Sequence, residues 1–272
     1  MEEKATSYGN RSEVLNFFLI CCDKWGVSAP VKMAKNLKLV LYSGGQSKSN
    51  HLLHSEVVRL ALLERKRRQK LQRHNTLGRG PLRMTYIPFE ADGSNRFFNR
   101  AMRRYRAAGI ERFFLLEPDF PPTAAELAIL LSSDVIYLAG GNTFTFLHHL
   151  RRSGLLSRLR EFAMSGGVLA GLSAGAILMT PHIGLASVPK FDADENEVRL
   201  RDWSALDLVP FEFSPHDTSS GRRQKELLAY SKRLRHPLFA VADGGGLVVQ
   251  GERLGLFGSA RLYSRGNCWK LS

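Results

Sequence analysis

Three cysteines in 272 residues are too few for a disulfide framework. Cys21 and Cys22 adjoin and Cys268 lies at the far end, so their spacing suits no metal site either. That usage fits a reduced compartment, and a cytoplasmic location is expected. Long hydrophobic runs are also missing. None approaches the ~20 residues needed to span a bilayer, so no membrane partner is expected. The apolar stretch at 14–22 is short, the segment before it is not a basic leader, and no cleavage site follows. It reads as a short helix or as an extension packed on a domain. There is no repeat of fixed period and no low-complexity linker. The eight histidines include no H-E-x-x-H pattern. His148 and His149 adjoin on a predicted helix and point in different directions. Neither a metal nor a cofactor is expected.

Acidic residues are scarce: 25 Asp and Glu stand against 39 Lys and Arg, a net charge of +14. Such an excess admits nucleic acid or small acidic substrates as partners. The densest basic run, 64–73, has no interleaved aromatics for base stacking, and no nucleic-acid motif accompanies it. It reads as the solvated end of a helix. Nucleic acid is therefore not expected as the main partner.

What is present suffices for one sizeable core, with a hydrophobic content of 44%. Residues 1–35 read as an N-terminal extension of unknown role and 36–272 as a single α/β domain. Apolar strands are predicted at 37–42, 84–88, within 111–116 and at 134–139. The first ends in the turn Ser43-Gly44-Gly45, and 76–81 is a loop. Helical spacing falls between the strands, at 51–72, 95–108, 121 to about 131, 144–150 and 155–164. Continuous apolar strands alternating with helices predict a mostly parallel sheet with helices on both faces. Ligand sites in such sheets lie at the carboxyl ends of the strands. Beyond 180 the pattern changes. A mixed stretch, 198–208, precedes a short strand at 211–214 that ends at Pro215-His216. A helix is predicted at 224–234, then short strands at 239–242, 246–250, 253–257 and 260–263.

The most informative stretch is 168–180, VLAGLSAGAILMT. Two apolar runs flank Gly171-Leu172-Ser173-Ala174-Gly175. G-x-S-x-G between a strand and a helix has the form of a nucleophile elbow, which holds a serine hydroxyl above the end of a sheet. A serine nucleophile needs a base, and the base needs a partner that fixes its tautomer. His216, at a predicted strand end, is the best base. His182 lies just past the elbow helix and points away, and His236 sits in a loop. The acid is open between two orders. Ser, acid, His selects among Asp192, Asp194, Asp202 and Asp207. Ser, His, acid selects Asp243, in ADGGG. Asp217 adjoins the base and is awkwardly placed to hold its ring. The oxyanion hole should use the backbone amide of Ala174, with a second from the Gly140-Gly141 turn, at Gly141.

AGGNTF at 139–144, GLSAG at 171–175, WSALDLVP at 203–210 and SPH at 214–216 fall in the order seen in the serine peptidase family of alpha-aspartyl dipeptidase and cyanophycinase. The resemblance spans roughly residues 37–265. It implies a fold like that of the class I glutamine amidotransferases. It also implies Ser173 as nucleophile and His216 as base. The family's acid follows the histidine in a Pro-Glu-Gly turn, and Ala242-Asp243-Gly244 holds that place here. The resemblance therefore selects Asp243, with a shorter arm than Glu. Asn142, Arg222 and Arg223 are the substrate-binding residues it implies. An arginine after the histidine would bind a substrate carboxylate bidentately. The segment that carries it is shorter here than in the dipeptidase, which puts strict preference for N-terminal Asp in doubt. The implied activity is hydrolysis of dipeptides or short peptides through an acyl-enzyme, with a small peptide as partner and no cofactor. Rival readings are a cyanophycinase-like exopeptidase and a catalytically silent binding protein on the same fold. Whether copies of the chain assemble is left open.

Overall fold

The computed structural model describes residues 14–16, 33–45, 48–71, 80–91, 93 and 95–271. In chain order its elements begin with β1 (Val14–Asn16), β2 (Lys38–Tyr42), α1 (His51–Leu71), β3 (Arg83–Ile87), α2 (Arg96–Ala107) and β4 (Arg112–Leu115). Next come α3 (Ala124–Leu131), β5 (Val135–Leu138), α4 (Thr143–Arg152), α5 (Leu155–Met164), β6 (Val168–Leu172) and the one-turn helix α6 (Ala174–Ile177). The remainder is β7 (Glu212–Asp217), α7 (Gly221–Ser231), β8 (Leu238–Ala242), β9 (Gly246–Gln250), β10 (Arg253–Phe257), β11 (Ala260–Ser264) and β12 (Asn267–Leu271).

KLVLY in β2 is apolar on both faces and buried along its whole length. Leu39 and Leu41 pack into one core with Phe144, Leu147 and Phe211. Val40 and Tyr42, on the other face, pack with Leu53, Val57 and Tyr105. Helices thus cover both sides of the sheet, α1 and α2 on one face and α4 and α5 on the other. Each such side chain contributes about 1.5–3 kcal/mol when fully buried. The strand order is β1-β10-β9-β2-β6-β5-β3-β4. The run from β2 to β4 is parallel throughout. β9 joins β2 antiparallel, and β10 joins β9 the same way. The mostly parallel sheet read from the sequence is therefore present, with an antiparallel flank.

The tail builds a second sheet, ordered β12-β11-β8-β7. β7 and β8 are parallel, and the other pairs are antiparallel. Periodicity did not reveal this split, nor β12, whose sequence NCWKL is mostly exposed. Residues 14–16 form a strand paired with β10 rather than a helix. The rest of the 14–22 stretch lies outside the described residues, as does most of the loop expected at 76–81. α7 starts and stops three residues before the expected 224–234. α3 begins where Pro-Pro-Thr predicts it, with Thr123 and Glu126 forming a reciprocal capping box. Among the described residues no helix is long and apolar enough to cross a membrane.

Candidate active site

β6 delivers Ser173 at the carboxyl end of the parallel sheet. Its backbone has φ 51 and ψ −108, which belongs to neither strand nor helix. Such a conformation costs a non-glycine residue roughly 1–3 kcal/mol and persists only when its surroundings hold it. Here the Ser173 amide donates to Tyr42 O at 3.0 Å, and the Ile177 amide donates to Ser173 O at 3.0 Å. The elbow glycines are required by packing. A Cβ on Gly175 would lie 2.7 Å from Leu138 Cβ, and one on Gly171 would strike the Gly175 carbonyl.

The candidate base is positioned by an irregularity. β7 was expected to end before His216, but it runs on to Asp217, and its register against β8 shifts between Ser214 and Asp217. His216 takes φ 57 inside that irregularity, so its ring leaves the regular alternation of the strand. His216 Nε2 then lies 2.9 Å from Ser173 Oγ. Its Nδ1 lies 2.7 Å from Asp243 Oδ1. A carboxylate only accepts, so Nδ1 carries the proton and Nε2 is left to accept from the serine hydroxyl. Asp243 opens the tight turn between β8 and β9, closed by the Gly245 amide on Ala242 O at 3.0 Å. The side chains of His216 and Asp243 are about half exposed, 42% and 53%.

The other acids are engaged elsewhere. Asp192 pairs with Arg223. Asp194 accepts from the Thr143 amide. Asp202 binds Ser204 and Arg151. Asp207 lies 3.8 Å from Arg160. Asp217 is buried against Arg261; burial pushes its carboxyl up, and Arg261 only partly offsets this. His182 accepts from the Gly184 amide and packs on Trp203, whereas it is His216 whose ring meets Ser173. Burial lowers its pKa.

Ala174 opens α6 directly after Ser173. The Gly140-Gly141 turn follows β5, and a Cβ on Gly140 would sit 3.6 Å from Ser173 Cβ. Both proposed sources of oxyanion amides therefore border the serine. The implied substrate-binding residues differ more. Asn142 Oδ1 caps α4 through the Thr145 amide, and its Nδ2 donates to Glu195 O. Both ends of that side chain are thus committed to the protein. Arg223 is buried and donates to Asp192 and to Pro215 O, which braces the segment before His216. Arg222 is 69% exposed, 3.6 Å from Glu226 and stacked over Phe191 at 4.5 Å.

Two neighbours of the candidate triad have no mark in the sequence beyond a turn. Ser43, fully buried after β2, accepts the His216 amide at 2.7 Å. Its hydroxyl donates to Val241 O at 2.7 Å and lies 3.3 Å from Asp243 Oδ1. Gly44 packs flat under the imidazole: a Cβ there would lie 2.5 Å from His216 Cε1. Four residues before His216, buried Glu212 is pushed up to about 7 by desolvation, which one long contact from Thr180 at 3.5 Å does not offset.

The model of peptidase family S51 matches residues 64–257, most of the chain. An uncharacterised peptidase of Listeria monocytogenes is 38% identical over 128 residues, which is 46% of this chain and 60% of that protein. The chain spans about 60% of the length of such curated relatives. Peptidase E of Streptomyces coelicolor is 28% identical over 194 residues, 68% of this chain and 75% of its own. The crystal structure of a peptidase from an acI-B1 actinobacterium superposes with a TM-score of 0.61 at 16% identity, covering 86% of this chain and 93% of that one. That likeness is one of fold. The family match carries the assignment, and the chain belongs to peptidase family S51.

Proposed function

We propose that this protein is a serine peptidase that hydrolyses dipeptides or short peptides through Ser173, His216 and Asp243. The observation that carries the reading is one unbroken hydrogen-bonded line, 2.9 Å from Ser173 to His216 and 2.7 Å from His216 to Asp243, ending on a strained elbow. Membership of the S51 family supports the same reading. Ser173 Oγ attacks the scissile carbonyl while His216 Nε2 takes its proton. The oxyanion that forms is held by the amides of Ala174 and Gly141. His216 returns the proton to the leaving amine, and the C–N bond breaks to leave an acyl-enzyme. Water attacks that ester, again with His216 as base, and Ser173 is regenerated. Asp243 keeps the imidazole in its working tautomer and stabilises the imidazolium. Of the substrate-binding candidates, Arg222 is the one with an exposed guanidinium available to a peptide carboxylate. We place the reaction in the cytoplasm on cysteine usage alone.

The test is Ser173→Ala on a panel of dipeptides varied at the N-terminal residue, with circular dichroism as the fold control. Turnover should vanish while the spectrum is unchanged. Undiminished turnover in a folded variant would overturn the assignment.

A further inference from the structure

Beside Ser173 lies a cavity of about 320 Å³, within the size range of ligand pockets. It opens at the carboxyl ends of the parallel strands. Leu172, the residue before Ser173, forms part of its wall, and so do Gly140 and Gly141. The remaining wall is largely apolar. Tyr86 stacks at 5.6 Å on Tyr137 behind it and meets Phe98 at 5.7 Å. Leu115 of β4 and Phe89 complete that wall. The Phe89 ring lies directly on Gly141, where a Cβ would come within 2.7 Å of Phe89 Cε1. The charged groups that line the cavity are both carboxylates: Glu90 is half-buried and Glu117 is exposed. No Lys or Arg lines it among the described residues.

This chemistry disfavours an acidic guest. An aspartyl side chain would give up water for an aromatic wall, meet no cation among the described lining residues, and face two like charges. A large apolar side chain loses nothing there and gains burial in proportion to its area. The position also selects which residue enters. The carbonyl that Ser173 attacks belongs to the acyl-side residue, and the cavity begins at Leu172, the residue before Ser173, and at Gly140, where a Cβ would sit 3.6 Å from Ser173 Cβ. We propose that this cavity receives a large apolar or aromatic side chain of the residue on the acyl side of the scissile bond and rejects an aspartyl one. The inference rests on the peptidase reading above and adds its substrate class.

The experiment uses the full chain with Xaa-Ala dipeptides and acetyl-Ala-Xaa-Ala peptides, Xaa being Phe, Leu, Ala, Lys or Asp, alongside a fluorophosphonate probe for Ser173. kcat/KM should be at least tenfold higher for Phe and Leu than for Ala, with Asp lowest. Leu115→Trp, which narrows the cavity, should lower the Phe-to-Ala ratio at least tenfold, with thermal unfolding as the fold control. Glu90→Gln combined with Glu117→Gln should raise the Asp-to-Phe ratio. A labelled Ser173 with a flat, Asp-led or Lys-led profile overturns this inference and leaves the peptidase reading standing. An unlabelled Ser173 with no turnover of any peptide overturns both.

Discussion

Gly44→Ala probes the triad without touching any of its members. A methyl group at residue 44 would sit 2.5 Å from His216 Cε1, 2.7 Å from His216 Nδ1, and closer still to Asp243 Oδ1. Carbon in a folded protein does not approach within about 3.0 Å, so the ring or the carboxylate must move by about 0.5 Å. Such a shift disturbs the 2.7 Å bond between them and the 2.9 Å approach of the ring to Ser173. A misplacement of about 1 Å costs on the order of a hundredfold in rate, and loss of the acid's correct hydrogen bond about 10⁴. The expected fall in kcat/KM is therefore roughly 10² to 10³, carried by kcat, because Gly44 does not line the cavity beside Ser173. The backbone there needs no left-handed conformation, so the substitution strains the side chains it meets and not the backbone, and it lowers the entropy of the unfolded chain. Gly80→Ala is the control, since a Cβ there meets nothing within 4 Å among the described residues. The assay is steady-state hydrolysis of the best dipeptide, with thermal unfolding in parallel. A folded Gly44→Ala protein within threefold of wild-type kcat/KM would refute the geometry.

Other consequences can be read the same way. Ser43→Ala strips the His216 amide and the Val241 carbonyl of their partner, and each buried group left unpaired costs about 1–3 kcal/mol; calorimetric unfolding should show that loss together with reduced kcat. Glu212 has a folded pKa of about 7 against about 4.3 when unfolded, so its contribution is fully present below pH 4 and is lost as pH rises toward 7. Glu212→Gln should flatten that fall, worth roughly 3 kcal/mol, in urea titrations at pH 5 and pH 8. Glu64 is buried with Lys38, Arg67 and Arg68 around it. Desolvation raises its pKa, yet the bonds from Arg67 and Lys38 outweigh this and hold it below the usual range. Glu64→Ala leaves Lys38 buried without its carboxylate and should cost about 3–5 kcal/mol in chemical unfolding, with activity at the distant Ser173 unchanged in the folded fraction.

The elbow was legible because its requirements are local. Two glycines four residues apart, between apolar runs, announce a close approach of backbone to backbone, and Gly175 against Leu138 is that approach. The parallel sheet was legible because its strands are apolar on both faces. His216 was readable as a base by residue type, but its φ of 57 and the register shift beneath it arise from pairing with β8 and leave no local mark. Ser43 and Gly44 looked like an ordinary turn. Their roles come from a contact 173 residues away in sequence. One signal was available: Ser43-Gly44 directly follows an apolar strand, and open α/β sheets place their sites at the carboxyl ends of their parallel strands. Arg223 is a different case. The resemblance implied it as a substrate ligand, and the structure pairs it with Asp192 and Pro215 O and buries it. Spacing alone does not separate a buried arginine from its exposed neighbour Arg222.

The central claim is that Ser173 becomes acylated because His216, held by Asp243, takes its proton. The most direct measurement is peptide mapping of the chain after reaction with a fluorophosphonate, comparing wild type with His216→Ala and Asp243→Asn. The adduct should map to Ser173 in the wild-type protein and should form at least a hundredfold more slowly in both variants. An adduct on another residue, or equal labelling of Ser173 in all three proteins, would contradict the account.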